Sequence, residues 1–490
     1  MVLPWVNRIG YGVGHVFNDL CSALWFLYFL LFLGDIDRMS GQLGAVTLLI
    51  GQIADAIATP VIGVWSDRGN LGCISRIGKR RSWYLIGNIA VVVTIPFMFS
   101  PPLGINSIPN EWLPFYLAVF VIIFQFGWAA VQTVHLALAT DLTPLESERT
   151  LLLSLRNTFT SICTLAVPCI FLIIQKLTPG CEEQFMPKDA YKFQILVGVV
   201  VAIGVSCSLF SGFTMKETSD DHLDNERLVP ETNRQTERRS YGQIFRQLDL
   251  YKVALLYTGT RLFGNILQTF VNLYISKTLR LPQDAVASIP LSVYTAATIS
   301  SIIAERMISL IGRKATYFCG MIPGVCASIW MHIGPLSLDP SFFAYGVCSL
   351  YGAASSILLV TAISQTTVFI GMDIGNGAFV FGLMSFCDKL FCGLAILVIQ
   401  SVKPRGDSSF YKDALAYTCG ASAIVGMLAI LTIFLPSRTG ASNASETASN
   451  PDAVAESHCQ LHTLKELFLL NLSILCHDIC WYLPAFRSKK

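Results

Sequence analysis

This sequence is short of charge for its length. Asp, Glu, Lys and Arg make up 13% of its 490 residues, against about 25% in a soluble domain. So few charges cannot solvate a surface of ordinary size, which excludes a soluble enzyme and a disordered chain. The formal net charge of +2 offers no basic face, so nucleic acid is not an expected partner. Metal-ligand spacing is also missing. No CxxC recurs with a second one, and Cys476, His477 and Cys480 read as apolar packing, so neither a metal nor any cofactor is expected. The opening Met-Val-Leu-Pro-Trp-Val-Asn-Arg runs into a long apolar stretch with no cleavable leader. The first apolar run is therefore expected to act as its own insertion signal.

What the sequence has instead is apolar mass. Its hydrophobic share is 53% and its mean hydropathy is +0.57. Nine of its fifteen cysteines (Cys21, Cys163, Cys169, Cys207, Cys319, Cys326, Cys348, Cys387 and Cys392) sit inside apolar runs, where a thiol packs as a small hydrophobe. Crossing a bilayer takes about 20 mostly apolar residues. Twelve such spans are expected, at 9–34, 41–65, 82–100, 112–140, 149–176, 192–213, 250–277, 284–310, 314–334, 341–371, 375–401 and 411–435. The expected fold is an all-α membrane protein with twelve transmembrane helices in two six-helix halves, 1–215 and 250–436, joined by a polar linker at 216–249. Two six-span halves around a long polar loop are the layout of major facilitator transporters, whose substrate site lies near the midplane. The bilayer is thus the expected surroundings of the chain.

Lys and Arg favour the even-numbered loops. The loop after the second span holds Arg68, Arg76, Lys79, Arg80 and Arg81, while the loop after the third has none. Both termini and the central linker are expected in the cytosol. Residues 437–490 read as a mostly disordered tail with an interfacial helix at 464–486, favoured over a thirteenth span. With the tail in the cytosol, the sequons at Asn443 and Asn471 stay unused.

Ionisable groups inside spans are costly, so each is a candidate for function. In the first span His15 and Asp19 are four residues apart with Asn18 adjacent, which gives one polar helix face beside Gly10, Gly12 and Gly14. Asp55 lies mid-way along the second span, with Gln52 and Thr59 on its face. Gly63, Asp67, Arg68, Arg80 and Arg81 cluster where the second span ends and the third begins, a group able to make and break charge pairs as a gate. The fourth span carries Gln125, Trp128, Gln132 and His135 and ends at Asp141. Arg156 in the fifth needs a carboxylate, for which Asp19 and Asp141 are available. Arg261, Asn265 and Gln268 share a face of the seventh span, and Asp388-Lys389 lie in the eleventh. No nucleophile–base pair stands at a span mouth, so an enzyme is not expected.

These residues carry a resemblance. Asp55-Ala-Ile-Ala-Thr59-Pro60-Val-Ile-Gly63, Ser66-Asp67-Arg68 and Gly78-Lys-Arg-Arg look like the second-span signature of the glycoside–pentoside–hexuronide:cation symporters. That likeness implies that Asp19 and Arg156 meet substrate, while Asp55 and Lys389 belong to a coupling site. This sequence departs from the pattern at Thr59 and Trp128, where the family has acids. The departure weakens a sodium site and leaves a proton, or no ion, as the coupling partner.

A closer resemblance rests on Gly14-His15-Val-Phe-Asn18-Asp19-Leu-Cys21, Phe124-Gln125-Phe126-Gly127-Trp128-Ala129 and the stretch Gly377 to Lys389. It covers residues 8–436 and points to a vertebrate branch of major facilitator transporters in lysosomes and melanosomes. It implies cysteine import into those organelles in support of pigmentation, by an alternating-access mechanism. The expected substrate contacts are Asp19, His15, Asn18, Arg156, Trp128, Gln125, Arg261 and Asn265. The expected coupling group is Asp55, Thr59, Lys389 and Asp388. Asp224-Asn-Glu-Arg-Leu228-Val229 approximates an acidic dileucine address for sorting adaptors. The competing readings are a cation-coupled sugar symporter and a non-transporting membrane scaffold.

Overall fold

The computed structural model describes residues 3–68, 78–101, 111–143, 145–180, 184–215, 241–334, 339–370, 377–404 and 407–433, apart from the side chains of seven helix-end residues (Asp67, Arg68, Lys79, Thr140, Glu146, Tyr241 and Ala378) and Gly377. Expectations for the linker at 216–240, its sorting address and the tail lie outside these residues.

A backbone in hydrocarbon must satisfy its own N–H and C=O groups, and a helix does so within one segment. Accordingly the described chain is a bundle of long helices, and its elements are named here by span. They are α1 (Trp5–Asp35), α2 (Gly41–Arg68), α3 (Lys79–Met98), α4 (Leu113–Leu142), α5 (Glu146–Leu177) and α6 (Ala190–Thr214). A short turn at Tyr241–Phe245 then leads into α7 (Leu248–Leu273). After it come α8 and α9 within Ala285–Ile333, α10 (Pro340–Ile370), α11 (Gly377–Ser401) and α12 (Phe410–Thr432).

Among the described residues ten helices are long and apolar enough to cross a membrane. Two features reconcile ten with the twelve expected. Ala285–Ile333 is two spans run together, because Gly312 takes φ 79° and turns the chain between α8 and α9. The other is α7, which falls short in apolarity because Arg261, Asn265 and Gln268 occupy one of its faces.

Without a hydrophobic drive between helices in lipid, close backbone approach supplies the packing. Gly87 on α3 and Gly127 on α4 face each other. A Cβ added to Gly87 would lie 2.7 Å from Gly127 O, and one added to Gly127 would lie 2.8 Å from Gly87 O. Gly352 on α10 meets the backbone of Val293 on α8 in the same way.

The ends of α1 and α7 repeat one motif. Arg38 and Arg280 both take φ 53°, the left-handed conformation that closes a helix. Met39 N bonds Leu33 O, and Leu281 N bonds Ile275 O, the same six-residue closure. Each helix also contains one π turn, at Leu24–Tyr28 and Tyr274–Thr278. The two halves therefore place equivalent residues 242 positions apart, as Arg38 and Arg280 are.

Gly127→Val is expected to destabilise the fold by about 1–3 kcal/mol through overpacking. It should lower the thermal unfolding midpoint of the detergent-solubilised chain, while Val119→Ala, on the outer face of α4, should leave it nearly unchanged.

Candidate functional site

The first span is broken where its polar face begins. Helix Trp5–Val13 stops at Gly14, His15 takes φ −98° and ψ −6°, and the helix resumes at Val16. Non-helical backbone at this depth needs partners from its neighbours. Tyr84 Oη on α3 donates to Gly14 O at 2.7 Å. His135 on α4 sits with Nε2 2.9 Å from Tyr11 O and stacks on the Tyr11 ring.

The break turns His15 toward α5. Its Nε2 lies 3.0 Å from Arg156 Nη2 and 3.3 Å from Asn18 Nδ2, while its Nδ1 lies 3.0 Å from Asp19 Oδ1. Two donors face Nε2, so the imidazole accepts there and carries its proton on Nδ1, toward Asp19. Thr160 Oγ1 donates to Asp19 Oδ2 at 2.8 Å. The partner of Arg156 thus differs from the sequence expectation. The guanidinium meets an imidazole whose other nitrogen faces Asp19, while Asp141 is taken by Arg80 at 3.0 Å.

A second cluster joins α2, α7 and α11. Lys389 Nζ lies 2.6 Å from Asp55 Oδ2 and donates to Thr59 Oγ1 at 3.2 Å. Thr59 Oγ1 itself lies 3.1 Å from Asp55 Oδ1. One residue back, Asp388 receives Arg261 Nε at 2.9 Å and Asn265 Nδ2 at 3.1 Å, and Cys392 Sγ completes the group at 3.1 Å. Asp55 and Asp388 are almost fully buried. All four charges cancel within this cluster.

Asp19 precedes the left-handed Arg38 by the same number of residues that Arg261 precedes Arg280, so the two occupy equivalent depths in the two halves. The first half presents an acid on α1 and a base on α5, whereas the second presents a base on α7 and an acid on α11. The charge order is exchanged between the halves.

The face opposite the N-terminus, the far face, is tied shut across the halves. Asp35 on α1 pairs with its repeat equivalent, Lys277, and accepts from Ser276 Oγ at 3.0 Å. Lys176 meets Asp284 at 2.5 Å. Lys192, fully buried, donates to Gln283 Oε1 at 2.7 Å and to Pro179 O at 3.0 Å. Asn272 Nδ2 donates to Leu27 O, and Gln42 Nε2 to Ser401 O. Spans α2 and α11 touch closely at this end, where a Cβ on Gly393 would lie 2.8 Å from Leu49 Cδ1. Gly382, on the same stripe of α11, has no atom of the described residues within 4 Å of such a position.

Gln125 is fully buried with both amide atoms unpartnered, as are Trp128 Nε1 and Asn18 Oδ1. Leaving such groups unmet costs about 1–3 kcal/mol each, so each is a polar atom that a bound solute can satisfy. Among the residues expected to gate, Arg81 Nη2 donates to Gly212 O on α6 at 2.5 Å and Gly63 faces Thr133. The side chains of Asp67 and Arg68 lie outside the described residues. Sequence reading missed Arg8, buried and bidentate to Glu148 at 2.7 and 3.1 Å, and the far-face ties.

Asp37 sits in the far-face turn after α1. Burial raises its carboxyl from 3.8 to about 7, and its Oδ2 has no partner.

Comparison with known proteins places this geometry in context. The profile of the family described as "MFS/sugar transport protein" matches residues 10–402. The Major facilitator superfamily domain-containing protein 12 of Homo sapiens is 33% identical over 456 residues, 88% of this chain and 94% of that protein. Its Mus musculus counterpart is 33% identical over 458 residues, with the same coverage of each. Among solved structures, a D-xylose-proton symporter superposes with TM-score 0.65 at 13% identity, over 88% of this chain and 97% of that one. At that identity the likeness speaks for the fold alone.

Two outcomes follow from these charges. Lys389→Ala strands a buried Asp55 and should cost about 3–5 kcal/mol. Adding Asp55→Asn should recover most of the lost thermal stability, a non-additivity that a double-mutant cycle measures. Asp37 holds a proton in the folded chain that the unfolded chain releases above pH 3.8. Its contribution is complete below that value and lost as pH rises through about 7. The unfolding midpoint of wild type relative to Asp37→Asn should therefore fall between pH 5 and pH 8, and parallel curves would contradict this.

Proposed function

We propose a function from one settled premise: the chain belongs to the MFS/sugar transport protein family and is a multi-pass membrane transporter of the major facilitator superfamily. Our reading is that it imports cysteine into lysosomes and melanosomes by alternating access, in support of pigmentation. Both termini and the central linker then lie in the cytosol, and the far face looks into the organelle lumen.

The observation that carries this reading is the exchanged order of acid and base in the two halves, Asp19 with Arg156 and Arg261 with Asp388. A sugar brings hydroxyls that such charges can bond but no charge of its own to complement both signs. An amino-acid zwitterion brings one charge of each sign, so its ammonium can replace part of the contact to Asp19 and its carboxylate part of that to Arg156 or Arg261. His15 lies between Asp19 and Arg156 and can let go of either. Asn18, Gln125, Trp128 and Asn265 supply the uncharged contacts, and a short apolar wall suits a thiol.

The coupling group is Asp55, Thr59, Lys389 and Asp388. A proton on Asp55 would exchange the ion pair with Lys389 for a neutral contact. That exchange loosens the tie between α2 and α11 that holds the halves at mid-depth. With the far face tied, the chain in this reading loads its solute from the cytosolic side. Gly63, Asp67, Arg68, Arg80 and Arg81 serve as the gate there, and the dileucine-like stretch in the linker meets sorting adaptors.

Labelled cysteine uptake into lysosomes, from cells with and without the chain and across lumenal pH, tests this reading. Asp19→Ala and Arg156→Ala should each reduce uptake to background while the protein still reaches the organelle. Normal uptake by either variant overturns the assignment, and sodium-dependent sugar uptake would establish the sugar-symporter reading in its place.

A further inference from the structure

A cavity of about 170 Å³ opens at the far face, on the seam between the halves. The first half contributes Ser40 and Gly41, where α2 begins. The second contributes Lys277 in the π turn after α7, Gln400 and Lys403 where α11 ends, and Tyr411 where α12 begins. Ser40 is exposed, and Gly41 and Lys403 are half-buried, so the cavity is reached from outside.

Its polar groups are mostly donors. The first N–H groups of α2, on Gly41 and Gln42, have no carbonyl to bond within their own helix, and the helix dipole sets partial positive charge beside them. Ser40 Oγ accepts from Leu43 N at 3.4 Å, which leaves its own proton to donate. Lys403 Nζ donates to Tyr411 Oη at 3.1 Å and lies 4.3 Å from the centre of that ring. An ammonium offers three N–H bonds, and the partner it has here is uncharged. The two sides of the seam are close. Tyr411 Oη donates on to Gln400 Oε1 at 3.3 Å, and a Cβ added to Gly41 would lie 2.5 Å from that same oxygen.

The charges around the cavity do not cancel. Lys277 is paired with Asp35, whose other oxygen accepts from Ser276. Among the described residues no carboxylate pairs with Lys403. The acid nearest to it in sequence, Asp407, is exposed and held by its own turn, bonding Ser409 N at 2.8 Å and Ser409 Oγ at 2.9 Å. Lys403 acts on it only at longer range. One positive charge is left over.

We propose that this cavity binds a small monovalent anion, chloride or a short carboxylate, between Lys403 and the start of α2. N–H groups at a helix start hold anions in this way, and Lys403 supplies a full charge from across the seam. The cavity is smaller than the roughly 300 Å³ at which ordinary ligand pockets begin, which suits an ion and excludes a bulky acid. Ser40 and Gly41 belong to one half and Lys403 to the other, so the anion adds a removable tie to that of Asp35 with Lys277. A ligand that binds one state better draws the equilibrium toward it, so anion on the far side holds that face shut. The proposal is independent of the identity of the transported solute.

The full chain is purified in detergent, and its thermal unfolding is followed as sodium gluconate is exchanged for sodium chloride or sodium acetate at fixed ionic strength. In wild type chloride, acetate or both should raise the midpoint saturably above that in gluconate, and the one that acts tells an inorganic ion from a carboxylate. The same anion should slow hydrogen exchange at the start of α2 and the end of α11 together. Lys403→Gln should raise the anion concentration needed by about tenfold, the scale of one charge-assisted hydrogen bond, while Lys403→Arg should keep the response. Ser40→Asp retains a capping oxygen for α2 and tethers a carboxylate at the cavity, so it should raise the midpoint in gluconate and abolish the response. Equal midpoints in the three salts, protection confined to one half, or an undiminished response in Lys403→Gln or in Ser40→Asp would each overturn the proposal. If Lys403→Gln lowers the midpoint in gluconate through the lost ring contact, Ser40→Asp still decides the matter.

Discussion

A charge buried at membrane depth must meet its opposite, and this requirement organises the molecule. Water is absent there to screen or solvate, so an isolated carboxylate or guanidinium is far too costly to keep. Among the described residues the charges buried at membrane depth sit within clusters that join helices distant in sequence. Arg8 with Glu148 ties α1 to α5 inside one half. Asp55 with Lys389 ties α2 to α11 across the seam. Asp35 with Lys277 ties α1 to α7 at the far face. Replacing buried pairs by apolar residues is often neutral or stabilising. Their value in a transporter lies in being exchangeable: a bond that can be traded for a solute or a proton is one that lets the halves move.

The same need explains the irregular first span. A straight helix would satisfy its own backbone and leave nothing for a solute. At the turn through Gly14–His15, Tyr84 and His135 from the neighbouring helices bond the carbonyl groups of Gly14 and Tyr11, the latter also accepting from Gly14 N. The break also turns His15 into the gap between Asp19 and Arg156. Discontinuous helices at membrane depth mark binding sites in transporters. In the proposed site the capping residues count with the charges, since they bond the backbone at the break.

Seam and repeat are related. The two halves end their first helices with the same left-handed closure, at Arg38 and Arg280, and from it the equivalent depths of Asp19 and Arg261 can be counted. Opposite charges on equivalent residues attract across a pseudo-two-fold axis, as Asp35 and Lys277 do. Like charges there would repel. The exchanged order therefore lets duplicated halves close against each other at the far face while offering both signs of charge at mid-depth.

The sequence by itself determined the architecture. Scarce charge and twelve apolar runs fix a helical bundle because hydrocarbon leaves the backbone no other way to bond, and the span limits fall within a few residues of the helices. It also identified Asp19, Asp55, Arg156, Arg261, Asp388 and Lys389, since an ionisable residue in an apolar run is conspicuous whatever its partner. Pairing was decided only by the fold. Arg156 could be matched on paper with Asp19 or Asp141, yet the break at Gly14 swings His15 between Arg156 and Asp19, and Arg80 claims Asp141. Arg8, Glu148, Lys192 and Gln283 gave no signal along the chain, because they lie near span ends where charge is ordinary. Which charges meet depends on helix rotation and crossing, and these are set by small contacts such as Gly87 against Gly127 that leave no periodic trace in the sequence.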